Sequence, residues 1–253
     1  MKIAVCYKLV PDDTQINFHQ DGTADLSACE WQIGQYDLRA IEVAAQIAEK
    51  NDGVEVLALT VGGDIVDSSK LRKSVLSRGP QEMVAVKDNR LADAGNYTVA
   101  RVLSSELRRM DVSIAFFGEG SGDIYAQQVG NVTGALLGWN TVNAVSSVEL
   151  DGNELVVERN LEDCVETLRV PLPAAITVTS DICLPRLTAM KEILKAGKKP
   201  YTVKSLDETG GMPSGGQETV SIKAKGRAQR DCHIVAADDD GISQLVTAIR
   251  KKL

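Results

Sequence analysis

The chain has 253 residues, 43% hydrophobic and 25% charged, the balance of a soluble globular protein with one large domain or a domain plus an appendage. Its 28 Lys and Arg against 35 Asp and Glu leave a net charge of −7, which argues against a general nucleic-acid binder. No apolar run reaches the ~18–20 residues of a membrane span, and the first residues turn polar too soon for a signal peptide.

In chain order, residues 2–10 are apolar and predict a first strand. Residues 36–50 carry Leu38, Ile41, Ala45 and Ile47 at helical spacing. Residues 54–61 form a mostly apolar run, as expected of a strand buried on both faces. Asp67, Ser68 and Ser69 cap a helix over 70–77, which Gly79-Pro80 stops. Strands at 83–86 and 112–117, with helices at 96–109 and 124–137, complete four strand–helix alternations. That pattern predicts an α/β fold, a Rossmann-like doubly wound and mainly parallel sheet.

After Trp139 the period changes. Of strands at 142–150, 155–161, 167–170 and 174–179, at least one is expected to extend the sheet and the others to form a C-terminal antiparallel addition at its edge, with a hairpin turn at Asp151-Gly152. Pro171 and Pro173 favour an edge or a strand start. Residues 185–196 read as a loop followed by a short helix. The glycine-rich stretch 210–216 breaks the chain, which divides it into a core over 1–205 and an extended tail over 206–253. The tail ends in an amphipathic helix at 242–253, with acids 238–240 before it and Arg250, Lys251 and Lys252 at its end.

Cys6, Cys29, Cys164, Cys183 and Cys232 are odd in number and widely spaced, so a reducing, cytoplasmic setting is expected. With only His19 and His233 besides, no metal-ligand pattern can be placed, and any redox group must be borrowed. Asp12-Asp13 and Glu162-Asp163 read as solvated loop charges, and Cys232-His233 as a surface pair.

In such a sheet the loops after strands one, two and four face the ligand crevice. The fourth is Gly118-Glu119-Gly120-Ser121-Gly122-Asp123, expected to run directly into a helix. Its glycines allow positive φ and close backbone approach, and a helix amino terminus attracts phosphate. Gln127, Gln128 and Thr133 add neutral polar groups. A turn that merely caps a helix is the alternative. The loop is no P-loop, because no Gly-Lys-Ser/Thr follows, and no G-x-G-x-x-G follows strand one. Further on, Arg186, Lys191, Lys195, Lys198, Lys199 and Lys204 crowd a segment whose one acid is Glu192. It is either a solvated helix face or a docking surface for an acidic partner, with Leu187 and Met190 as apolar anchors or as core.

Several segments recur in a known order: 5–12 (VCYKLVPD), 35–42 (QYDLRAIE), 76–79 (LSRG), 118–130 ending DIYAQQVG, 157–163 (VERNLED), and 172–200 closing AGKKP. Together they resemble the β subunit of the electron transfer flavoproteins, more closely its bacterial FixA-type branch. The resemblance implies an electron-carrier subunit, not an enzyme, with no catalytic residue of its own. It implies a heterodimer with an α subunit that holds most of the FAD, and an AMP in the β crevice, replaced by a second FAD in bifurcating relatives. The redox partner would be a flavin-dependent dehydrogenase or reductase, in anaerobic carnitine or acyl-CoA metabolism. Nucleotide contacts carry over to Cys6, Gly34, Gln35, Tyr36, Asp37, Val61, Gly118, Gly120, Ser121, Gly122, Asp123, Gln127, Gln128 and Val129. Partner docking carries over to Pro185, Arg186, Leu187, Met190, Lys191 and Lys195. Glu119 stands where many relatives have lysine, Asp123 is what remains of an acidic run, and Asp13 and Cys164 also depart from the pattern. The rival readings are a nucleotide-binding enzyme on the same sheet and a stand-alone nucleotide sensor resembling universal stress proteins.

Overall fold

Alternate residues of the first strand face opposite ways, and this sets the layers. The computed structural model describes residues 1–212, 220–224 and 232–251. Strand β1 is Lys2–Cys6, followed by α1 (Gln35–Lys50), β2 (Glu55–Gly62), α2 (Ser69–Leu76), β3 (Glu82–Lys87), α3 (Asn96–Met110), β4 (Ile114–Gly118) and α4 (Val129–Leu137). Then come β5 (Asn140–Asp151), β6 (Glu154–Asn160), β7 (Val165–Pro171), β8 (Ala174–Val178), α5 (Met190–Ala196), β9 (Tyr201–Lys204) and α6 (Asp239–Arg250). Ile3 and Val5 of β1 join a core with Ile41 and Ala44 of α1, Leu71 and Val75 of α2 and Ala196 of α5. Ala4 and Cys6 point the other way, into a core with Leu103 and Leu107 of α3, and with Val129 and Leu137 of α4 against it. The sheet therefore has helices on both faces, which explains why its strands read as continuous apolar runs.

The nine strands run in the order β7-β6-β5-β8-β4-β1-β2-β3-β9. Neighbours from β5 to β9 in that order pair parallel. The pairs β5–β6 and β6–β7 are antiparallel and form the expected edge addition. Pro171 ends the edge strand β7, where its missing N–H costs no ladder bond. Strands β2 and β3 lie to one side of β1, while β4 lies on the other. The order thus reverses between β1 and β4, and the crevice beyond their carboxyl ends is where such sheets bind ligands.

Some expectations need correction. The apolar run 2–10 is not one strand: β1 ends at Cys6, and Leu9–Pro11 leaves the sheet to pair with Trp31–Ile33. The chain turns out because the Lys8 backbone is bound on both sides, its N–H by Asp37 and its carbonyl by the N–H of Gly34. The helix expected over 124–137 begins only at Val129, since Tyr125 and Gln127 take left-handed φ of 52° and 54° that a helix cannot hold. Strand β9 extends the sheet beyond β3 from within the basic segment, where no strand was expected. Helix α6 starts at Asp239, earlier than 242, because the Asp238 carboxylate caps it by accepting from the Gly241 N–H at 2.8 Å. Residues 213–216 of the glycine-rich stretch, and Lys252 and Leu253, lie outside the described residues.

Helix α4 approaches the sheet through two glycines one turn apart. A Cβ at Gly130 would lie 2.5 Å from Thr177 Cγ2, and one at Gly134 would run into Thr141 Oγ1 and lie 2.8 Å from Ala175 Cβ. Gly134→Val is therefore expected to cost roughly 1–3 kcal/mol or more by overpacking. Gly122, which has nothing within 4 Å of such a Cβ, is expected to accept Ala at near-zero cost. Urea unfolding of the two variants checks both values.

Candidate functional site

Where β1 and β4 part, their last backbone N–H groups lose sheet partners and need another acceptor. Asp37, in the first turn of α1, supplies it: one carboxylate oxygen accepts from the Lys8 N–H at 2.8 Å, the other from the Gly118 N–H at 3.1 Å. Asp37 is buried, and burial pushes its carboxyl up to about 7, although both N–H bonds and the Lys8 charge act against that. Cys6 ends β1 in the same wall, and burial, then the nearby Asp37 charge, push its thiol up. Gly34 is the residue before α1, followed by Gln35 and Tyr36 on its first turn. A Cβ at Gly34 would lie 2.6 Å from an Asp37 oxygen, and one at Gly118 would lie 2.6 Å from Tyr36 Cβ. Both glycines are thus required by the close seat of α1 on the strand ends.

The loop after β4 folds over this wall. Lys8 Nζ reaches across to Asp123 at 2.5 Å, and the pair is only partly exposed. Burial alone would raise the Asp123 carboxyl, but Lys8 outweighs it and holds the group below the usual carboxylate range. The Tyr125 ring stands 5.3 Å from that of Tyr36, tilted by 44°. Tyr125 is 42% exposed, and burial with the neighbouring Glu119 pushes its phenol up to about 12. Gly120, Ser121 and Gly122 line the same loop, but the glycines of this loop do not take positive φ. Gly120 is needed for a different reason: a Cβ there would lie 2.5 Å from the Tyr125 ring. Gln128 immediately precedes α4 and accepts from the Asn96 amide at 3.2 Å; Val129 opens the helix, and Gln127 sits before it with φ 54°. Thr133, one turn on, is fully buried, and its hydroxyl has no hydrogen-bond partner. Val61 stands near the end of β2 in register with Val86 of β3, on the far side of β1 from the loop.

The structure thus joins Cys6, Gly34, Tyr36, Asp37, Gly118, Gly120 and Asp123 by contacts around one crevice. Sequence reasoning missed Lys8 and Tyr125. Lys8 brings a cation to this loop through Asp123, and only the turn after Cys6 reveals it. A groove of about 380 Å³ lies elsewhere, between α1 and β5, lined by Gln46, Lys50, Ser146, Glu149 and Cys183. It has neither a glycine loop nor a helix amino terminus, so the crevice remains the stronger candidate.

The second predicted site follows β8. Leu187 and Met190 are 97% and 71% exposed, which settles them as surface and not core. Leu184 and Leu194 are exposed beside them. The basic character of this segment is largely neutralised within the chain: Arg186 binds Glu42 and Glu49, Lys195 binds Glu192, and Lys204 binds Glu106. Lys199 donates to the carbonyls of Leu76 and Pro80 at 2.6 and 2.7 Å. Among the described residues, Lys191 and Lys198 have no ion-pair partner. Pro185 precedes the paired Arg186 in this loop.

A family model described as the electron transfer flavoprotein domain matches residues 25–209. The chain belongs to that family. The match spans α1, the crevice loop and the exposed loop after β8, so electron transport with a flavin is the family setting in which both sites stand. Among the described residues no helix is long and apolar enough to cross a membrane, and no group of three or more His, Cys, Asp or Glu is placed to hold a metal.

The buried Asp37 carboxyl gives a pH signature. The folded chain keeps its proton up to about pH 7, whereas the unfolded chain releases it near ~4. Raising the pH through that window removes stability, at about 1.4 kcal/mol per pH unit. Asp37→Asn cannot ionise and lacks this slope. The unfolding free energy of wild type minus variant is expected to fall by about 2–3 kcal/mol between pH ~5 and 8. Urea titrations of both proteins across that range measure it, and a flat difference contradicts the raised carboxyl.

Proposed function

We propose that this chain is the β subunit of an electron transfer flavoprotein of the FixA type, built as a core over 1–205 and a tail over 206–253. It pairs with an α subunit that holds most of a shared FAD, and it works as a cytoplasmic electron carrier in anaerobic carnitine or acyl-CoA metabolism. The flavin supplies the redox chemistry when bound; this chain positions and presents. Within a chain of this family, the observation that carries the reading is the crevice between β1 and β4. A lysine and a pair of half-exposed tyrosines meet there at the first turn of α1. These groups fit an adenine nucleotide, AMP in this reading: Lys8 and the N–H groups of loop 118–123 toward phosphate, Tyr36 and Tyr125 toward a planar ring. In this reading Cys6, Gly34, Gln35, Asp37 and Gln127 to Val129 are further nucleotide contacts, with Val61 approaching from the other side of β1.

The complex of this chain with its α subunit, precipitated with acid, is expected to release AMP together with FAD, identified by mass. Release of two FAD and no AMP would instead mark a bifurcating type. Lys8→Met and Gly120→Val are each expected to lower nucleotide content on the order of 10-fold, the first by removing the cation and the second by displacing Tyr125. Unchanged content in both variants removes the crevice as the site.

The exposed Leu187 and Met190 form the proposed docking anchors for a flavin-dependent dehydrogenase or reductase. Because Met190 is exposed, Met190→Ala is expected to change stability by no more than about 0.5 kcal/mol while slowing electron transfer to that enzyme. Thermal melts and stopped-flow flavin reduction separate the two effects. Loss of stability with unchanged transfer sinks the docking assignment.

A further inference from the structure

The loop after β8 is exposed at its tip and tied down at its base. Arg39 of α1 donates from Nε to the carbonyl of Ser180 at 2.8 Å, just past β8. Six residues on, Arg186 meets two acids on the same face of α1. Its backbone N–H and Nε both donate to one Glu42 oxygen, at 3.0 and 2.7 Å, and a terminal nitrogen donates to the other at 3.1 Å. The remaining fork reaches Glu49 at 2.5 and 3.3 Å. Glu42 is buried, and its second partner is the Gln46 amide at 2.8 Å. Burial alone would raise the Glu42 carboxyl, yet the bonds from Arg186 outweigh it and hold it below the usual range. Immediately either side of this knot, Leu184 and Leu187 stand almost fully in solvent. The far end of the segment is held by the buried Ala196 and by Lys199 on the end of α2.

From this geometry we infer that Arg186 and Glu42 are positioning residues that fix the docking loop on α1 and turn Leu184, Leu187 and Met190 outward, and that Arg186 is not itself a docking cation. The inference rests on the docking reading above. A guanidinium committed to four hydrogen bonds within its own chain has no donor fork left for an acidic partner, and a planar fork suits this inward role. A single backbone N–H joined to the same carboxylate fixes main chain as well as side chain, which an ion pair between side-chain tips does not do. The arrangement also places the nucleotide crevice and the loop on one rigid element, at the first turn and the middle of α1.

The test has two arms. In the first, thermolysin, which cuts before leucine, isoleucine and methionine, is applied to wild type, Glu42→Gln, Arg186→Gln and the double variant, with cuts located by mass. Cleavage within residues 184–190 is expected to rise on the order of 10-fold in each single variant, since Arg186→Gln leaves the buried Glu42 unmatched and Glu42→Gln leaves Arg186 only the exposed Glu49. The double variant is expected to be no worse than the worse single one, and Arg186→Lys to restore part of the protection. Unchanged cleavage in both singles overturns the inference, as does a general loss of protection across the core, which would make the knot a prop of the whole fold. In the second arm, the αβ complex is reduced by a flavin-dependent dehydrogenase that reduces wild type. Glu42→Gln is expected to raise the KM for the complex on the order of 10-fold with kcat and nucleotide content held, and Leu187→Ser to do the same. Slowing by Leu187→Ser alone overturns the positioning role. No slowing by Leu187→Ser removes the docking reading instead, and leaves the cleavage result to stand on its own.

Discussion

Two backbone N–H groups, Lys8 on one strand end and Gly118 on the next, share a single buried carboxylate. Parallel strands that diverge at a switch point leave such donors without a ladder, and an unpaired buried N–H costs about as much as a lost hydrogen bond. Asp37 answers both from the first turn of α1, where the helix amino terminus also favours a negative group. The cost is the burial of an acid, visible in its upward shift. Much else is forced by that seat. Gly34 and Gly118 have no room for a Cβ, β1 stops at Cys6, and the Lys8 side chain is delivered over the crevice to Asp123.

Helix α1 thereby becomes the axis of the molecule. Its first turn closes the crevice, its apolar face carries Ile41, Ala44 and Ile47 into the core, and its outer acids hold Arg186. One amphipathic helix so serves three tasks because successive turns present different rows of side chains at fixed spacing. Charge placement follows the same economy. Glu106, fully buried on α3, is matched by Arg109 on its own helix and by Lys204 of β9 at 2.6 Å, so the edge strand is pinned by an ion pair as well as by its ladder.

The parallel sheet was legible because a strand covered on both faces must be mostly apolar, as 54–61 and 112–117 are. The crevice loops followed from topology alone. Other features hung on contacts between residues far apart in the chain. Nothing in Tyr125 or Gln127 announces a left-handed backbone, so helix α4 was started too early and the tyrosine was passed over. Lys8 reads as an ordinary loop lysine until Asp123 is brought beside it. Arg186 looked like a cation awaiting a partner because Glu42 and Glu49 lie more than a hundred residues earlier. Strand β9 is four residues long, with two of them exposed, and offers no period to read.

On the docking reading, the neutralised basic segment changes what kind of contact this surface offers. Arg186, Lys195 and Lys204 each have an acid within the chain, and Lys199 is turned onto backbone carbonyls. What then faces solvent after β8 is mainly apolar: Leu184, Leu187, Met190 and Leu194. Exposed leucines clustered in this way cost solubility unless something covers them. On the docking reading, recognition rests on apolar contact, which is directionless and tolerant of small rotations, with Met190 able to fit different surfaces. Charge is left the lesser task of long-range attraction through Lys191 and Lys198. A loop of that kind needs a stiff base more than a charged tip, because the entropy of ordering it would otherwise be charged against every encounter. The five bonds of Arg186 supply that stiffness before any partner arrives.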